Sequence, residues 1–268
     1  EQVAKRIVDS LAKPYEVRRH SLFVTSSVGV AFCPDDGDDV AGLTKAADTA
    51  MYRAKENGRD RFELFKPELQ ERLMRDVAIE HALREGMEQG RLRLVYQPKF
   101  TSASPNRLVG AEALLRWSDP VLGDVSPTDF IPVAEATGLI LELDRHVALL
   151  LITQLAQWLA DGVCLPPVAM NVSARSFQEE RFISHLFTCL KQYRVPHELI
   201  QVEITESTLV DRSSAALGNI EKLREAGIKL AVDDFGTGYS SLAYLKRLPL
   251  AELKIDKSFV DGLDSADE

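Results

Sequence analysis

"LAVDDFGTGYSS", residues 230–241, ends an apolar run on two adjacent aspartates and then sets two glycines around a threonine. Side-by-side carboxylates repel, and taking them out of water is expensive unless a cation lies between them. Alternate residues of a strand face the same side, so "KLAVDDF" puts Asp233 with Ala231, opposite Leu230 and Val232. The pair therefore reads as the end of a buried strand that meets a bound metal. Gly236 and Gly238 let the next loop turn tightly beneath a ligand, where side chains would clash.

The same alternation recurs in four other segments. In "RLVGAEALLRW" Glu112 and Arg116 share one face, while Ala113, Leu115 and Trp117 take the other. Asn171 lies with Ala169 in "PVAMNVS", Glu203 with Gln201 and Thr205 in "LIQVEITES", and Lys254 with Glu252 and Asp256 in "AELKID". Each strand thus offers a polar group near its C-terminal end on one face and aliphatics on the other. A (β/α) barrel whose strand ends converge on a mouth accounts for this, whereas an open sheet would scatter the groups along an edge. Helical stretches at 176–193 and 213–226 alternate with the later strands, as α/β architecture requires. Glu112, Asn171, Glu203, Asp233 and Asp234 offer oxygen ligands, which select hard cations, Mg²⁺ or Mn²⁺. Adjacent aspartates suit a two-metal site that clamps a phosphoryl group, with Lys254 orienting water or neutralising charge.

The rest of the chain bounds this reading. Its 268 residues are 45% hydrophobic and 27% charged, a globular balance with ample material for a core. No apolar run reaches the roughly 18 residues of a membrane-spanning helix. Cys33, Cys164 and Cys189 lack metal-type spacing and read as reduced thiols of a cytoplasmic protein. The five histidines form no HExxH-like pair, which argues against zinc. A net charge of −9 disfavours a nucleic-acid polymer as partner. Residues 1–66 read as helix, strand ("SLFVTSSVGVAF"), acidic turn, helix and short strand ("RFELF"). Asp39 is placed to cap the second helix, and Gly58 to stop it. Residues 67–90 form a charged helical connector, and the strand-rich domain occupies 91–268.

"GAEALLRW" also holds Glu112-Ala113-Leu114, the signature of EAL domains, phosphodiesterases that open cyclic di-GMP to linear pGpG. "YQPK", "FIPVAEATGLI", "MNVSARSF", "VEITES", "DDFGTGYSSL" and "LKIDKSFV" follow the family's order and spacing. The resemblance covers about residues 78–268 and implies a TIM-like (β/α)8-type barrel whose first strand, "LRLVYQP", runs antiparallel to the others. It implies that Glu112, Asn171, Glu203 and Asp233 are metal ligands and that Asp234 serves a second metal. Lys254 matches the lysine that holds the catalytic water, and Glu206 a glutamate that steadies loop 235–241. Gln97, Leu115 and Arg116 stand where the family contacts cyclic di-GMP.

Residues 1–66 resemble the C-terminal part of a GGDEF domain, the diguanylate cyclase module, through "SVGVAFCPDDG" and "AADTAMYRAKENGRDRF". That resemblance implies that Lys55 and Arg59 grip GTP phosphates. The GGDEF signature itself is absent, so no cyclase activity is expected of this chain. Both domains are expected to be incomplete, the second lacking about two strand–helix units with a further metal-site glutamate and a substrate-contacting glutamine. The family also implies a homodimer. A non-catalytic cyclic di-GMP receptor is the competing reading, and a pure dimerisation scaffold leaves the acidic mouth unexplained.

Overall fold

The computed structural model describes residues 1–17, 20–102, 104–210, 214–236 and 248–259. The chain divides into two compact units, Glu1–His81 and Ala82–Glu268.

The first unit opens with helix α1 (Gln2–Leu11) and an antiparallel pair, β1 (Tyr15–Val17) and β2 (His20–Leu22). Strand β3 (Ser27–Val30), helix α2 (Val40–Glu56) and strand β4 (Arg61–Leu64) form a β-α-β unit with β3 and β4 parallel. The Asp39 carboxylate accepts from the Gly42 amide at 2.6 Å and caps α2 as expected. Ala46, Ala50 and Ala54 are buried along one stripe of α2. Small residues there match Gly29 of β3, where an added Cβ would lie 1.9 Å from the Ala47 carbonyl oxygen. The expected strand over 21–32 is instead split between β2 and β3. β2 pairs antiparallel with β1 and β3 parallel with β4, so the chain must leave one ladder before entering the other. Helix α3 (Pro67–Glu88) follows, and the division between the units falls within it.

The second unit carries β5 (Leu92–Thr101), β6 (Ser104–Asp119) and β7 (Gly123–Val125), then α4 (Pro127–Thr137) and α5 (Ile140–Ala160). From there strands and helices alternate: β8 (Val168–Asn171), α6 (Ala174–Gln178), α7 (Glu180–Tyr193), β9 (Ile200–Thr205), α8 (Glu206–Val210), α9 (Ser214–Glu225), β10 (Lys229–Phe235) and β11 (Leu250–Ile255). The helical stretch expected over 176–193 begins at Ala174 and breaks at Glu179, whose backbone is extended.

The sheet order is β11-β10-β9-β8-β6-β5, with β7 paired to β6. Neighbours from β6 to β11 along this order are parallel, and β5 alone among them runs antiparallel, against β6. Val168, Met170, Ile200, Val202, Ile204, Leu230 and Val232 turn one face into a core with Leu151, Leu155, Phe182, Leu186, Ile220 and Leu223 of the helices. The opposite face is polar and curls inward. The Lys99 ammonium of β5 lies 3.1 Å from Glu252 of β11, so side chains of the two outermost strands of the order meet across it. This is a mixed α/β, TIM-like arrangement with its first strand reversed.

Candidate active site

The inward face gathers carboxylates from its parallel strands: Glu203 and Asp233 near the C-terminal ends of β9 and β10, and Glu112 in the middle of β6, not near its end as expected. Oxygen atoms of Glu112 (β6), Glu203 (β9) and Asp233 (β10) all lie within 4.8 Å of one another. Asn171, at the end of β8, donates its amide N–H to Glu112 Oε1 at 2.8 Å. Lys254 rises from β11 between them and donates to Glu112, Glu203 and Asp233 at 3.0, 2.9 and 2.7 Å. Burial works against its charge, but hydrogen bonds to the three carboxylates outweigh that and hold the ammonium well above the ordinary lysine range. Glu203 has no exposed side-chain surface, and two ammonium groups, Lys254 and Lys99, touch it.

The adjacent aspartates have a structural explanation. Along β10 and β11, Val232 pairs with Leu253 and Phe235 with Ile255, which leaves Asp233 and Asp234 opposite Lys254 alone. That is a β-bulge, and Asp234 takes it with a left-handed backbone, φ +52. Aspartate is among the few non-glycine residues that adopt this conformation readily. A regular strand would send neighbouring side chains to opposite faces; the bulge keeps both near the mouth. Burial raises the Asp234 carboxyl pKa, and so do the charges of Asp233, Asp256 and Glu112, with Lys254 opposing.

Glu206, buried at the start of α8, accepts from the Gly236 amide at 2.9 Å and so ties the end of β10 to α8. Gly236 has φ +108, and an added Cβ would lie 2.5 Å from the Phe259 ring. Gly238 and the rest of the expected loop beyond Gly236 lie outside the described residues.

Gln97 lies directly across from Glu112 on β5, and Arg116 is two positions further along the same face of β6. Leu115 is different. It packs against the apolar core on the face of Ala113, so it does not stand with Gln97 and Arg116. Strand alternation gives Leu114 that place, and the sequence pattern already contained the distinction. In the first unit Lys55 and Arg59 are both exposed at the C-terminal end of α2. Arg59 lies beyond the helix with a left-handed backbone, φ +60. Sequence reasoning put Gln201 and Glu252 on the polar face but gave them and Lys99 no role; the three form a second polar layer beneath the mouth. The "YQPK" stretch pointed to Lys99, but its partners stand 104 and 153 residues away in the chain.

The donor set suits a divalent cation. Three carboxylates converge, the site has no histidine or thiol among those donors, and the only cation touching all three among the described residues is Lys254. Oxygen donors of this kind favour a hard ion.

A curled, mostly parallel sheet with acidic strand ends defines the class, a TIM-like α/β domain with an oxygen-rich mouth. The family profile described as "EAL domain" matches residues 80–268, and that described as "Diguanylate cyclase, GGDEF domain" matches residues 1–61. The chain belongs to the EAL domain family. It is 37% identical over 262 residues to the bifunctional diguanylate cyclase/cyclic di-GMP phosphodiesterase MucR of Pseudomonas aeruginosa, covering 97% of this chain and 38% of the relative. It is 38% identical over 260 residues to the cyclic di-GMP phosphodiesterase PdeR of Escherichia coli, covering 97% of this chain and 39% of that protein. The chain thus spans about two fifths of these relatives. Among solved structures, the PaMucR phosphodiesterase in complex with c-di-GMP aligns with a TM-score of 0.65 and 39% identity, over 69% of this chain and 75% of that one. The FimX EAL domain of Xanthomonas citri in complex with c-diGMP aligns with a TM-score of 0.65 and 25% identity, over 74% and 76%.

Proposed function

We propose that this chain contributes a metal-dependent phosphodiesterase that hydrolyses cyclic di-GMP to linear pGpG, with Glu112, Asn171, Glu203 and Asp233 as ligands of one Mg²⁺ or Mn²⁺ and Asp234 serving a second. The observation that carries the reading is the convergence of Glu112, Glu203 and Asp233 around Lys254, in a family whose relatives are named for this reaction. Divalent ions held by these oxygens would supply Lewis-acid activation and charge neutralisation for phosphodiester cleavage.

The chain's own residues account for the rest. Lys254, whose ammonium donates to all three carboxylates, orients an attacking water and offsets charge on the phosphoryl oxygens. Glu206, through the Gly236 amide, keeps the bulged end of β10 in place and with it Asp233 and Asp234. Gln97 and Arg116 flank Glu112 on the same face and are assigned to the substrate; Arg116 brings a charged fork suited to a phosphate. Leu115 is partly buried against the core, and Leu114, on the face of Gln97 and Arg116, is the leucine assigned here to the substrate.

The domain limits 1–66, 67–90 and 91–268 belong to the same proposal. So do GTP phosphates at Lys55 and Arg59 of a regulatory GGDEF part, a homodimer and a cytoplasmic site of action. Among the described residues no helix is long and apolar enough to cross a membrane.

The test is to incubate the full-length protein with cyclic di-GMP and Mg²⁺ and separate the products. Glu112→Ala is expected to abolish pGpG formation while cyclic di-GMP binding falls less, because the ions serve chemistry more than guanine recognition. Undiminished pGpG from this variant refutes the assignment. Tight binding without turnover by the unaltered protein marks a receptor instead.

A further inference from the structure

Glu203 is gripped from two sides. Lys254 donates to its Oε2 at 2.9 Å from the mouth, where the same ammonium touches Glu112 and Asp233. Lys99 donates to its Oε1 at 2.7 Å from β5. Lys99 is itself anchored by both oxygens of Glu252, at 3.1 and 3.3 Å, and Gln201 donates to Glu252 Oε2 at 2.7 Å. On β6 the residue across from Lys99 is Gly110.

The terminal torsion of a glutamate is broad and roughly two-fold, so the chain alone does not fix which way its oxygens point. A charge-assisted hydrogen bond to one oxygen does. We propose that Lys99 is a positioning residue for the divalent-ion site: by holding Glu203 Oε1 on the Glu252 side, it turns Oε2 toward Glu112 and Asp233. This rests on the reading of Glu203 as a metal ligand. Lys99 bonds no other member of the mouth among the described hydrogen bonds, so its action runs through Glu203.

The sign of the effect separates positioning from mere charge. A cation a few ångströms from an ion site repels that ion, so losing it as a charge alone tightens metal binding. Losing it as an orienting group loosens binding, by about 10–100-fold for partners that fix a ligand. Lys99→Met/Glu252→Met removes one charge of each sign, so the net charge beside the site is kept while the hold on Glu203 Oε1 is lost.

Mn²⁺ is titrated into the full-length protein without nucleotide, and free ion is followed by electron paramagnetic resonance. The fluorescence of Trp117 and Trp158 checks that the domain is folded. The double variant is expected to raise the Mn²⁺ dissociation constant about 10–100-fold. Unchanged or tighter binding overturns the proposal. Lys99→Met alone provides the same readout, with loosening again expected and tightening again refuting it. If the unaltered protein binds no Mn²⁺, the metal-site reading fails; if it binds and the variants match it, only the role of Lys99 fails.

Discussion

Replacing Lys254 by methionine removes a charge while keeping most of the side chain's bulk, and its consequence can be worked from the distances. Glu112, Glu203 and Asp233 then face one another within 4.8 Å without the ammonium that touches all three. Two like charges about 4 Å apart repel by roughly 4 kcal/mol at an effective dielectric of about 20. Glu112 and Asp233 keep 14% and 22% of their side-chain surface in water, so solvent screens them. Glu203 has none and retains only Lys99. Stripping one partner from a buried pair costs about 3–5 kcal/mol; the lower end, about 3, applies here because the cluster is partly wet. With a urea slope of about 3 kcal/mol/M, the midpoint falls by about 1 M in the presence of a chelator. A divalent cation fills the same need for positive charge, so saturating Mg²⁺ is expected to stabilise the variant more than the unaltered protein and to narrow the gap. Both tryptophans, Trp117 and Trp158, belong to the second unit, so their fluorescence follows its unfolding. Equal midpoints in chelator, or a gap that Mg²⁺ leaves unchanged, would show that Lys254 does not balance this cluster.

The remaining predictions concern pH and backbone. Asp119 accepts from the Val121 and Leu122 amides and from Arg91; burial pushes its carboxyl up, but these partners together hold it below the usual carboxylate range. A lowered folded pKa stabilises above the unfolded value of about 3.9, and that contribution is lost as pH falls toward the folded value. The stability advantage of the unaltered protein over Asp119→Asn should therefore shrink in urea titrations below about pH 4; an advantage independent of pH contradicts the assignment. At Gly236, alanine meets φ +108 and the Phe259 ring together. Phe259 is more than half exposed and can swing aside, so Gly236→Ala is expected to cost the backbone term, about 1–3 kcal/mol, and unaltered stability would remove the strain claimed there.

Much of the site was legible in the chain before folding. Alternation is a local property of extended backbone, so Glu112, Asn171, Glu203, Asp233 and Lys254 could be placed on one face of their strands from the residues alone. The same rule set Leu114 and Leu115 on opposite faces of β6. Capping of α2 by Asp39 was equally local.

What the sequence by itself determined is thus which side chains each strand presents to which face, because that depends on neighbours two residues away. Tertiary structure alone decided how those faces meet. The bulge that sets Asp233 and Asp234 against Lys254 is a register offset between two strands, and a register exists only once both strands are paired. The Lys99–Glu252 contact closes 153 residues of chain and depends on the curl of the whole sheet, which no single segment encodes.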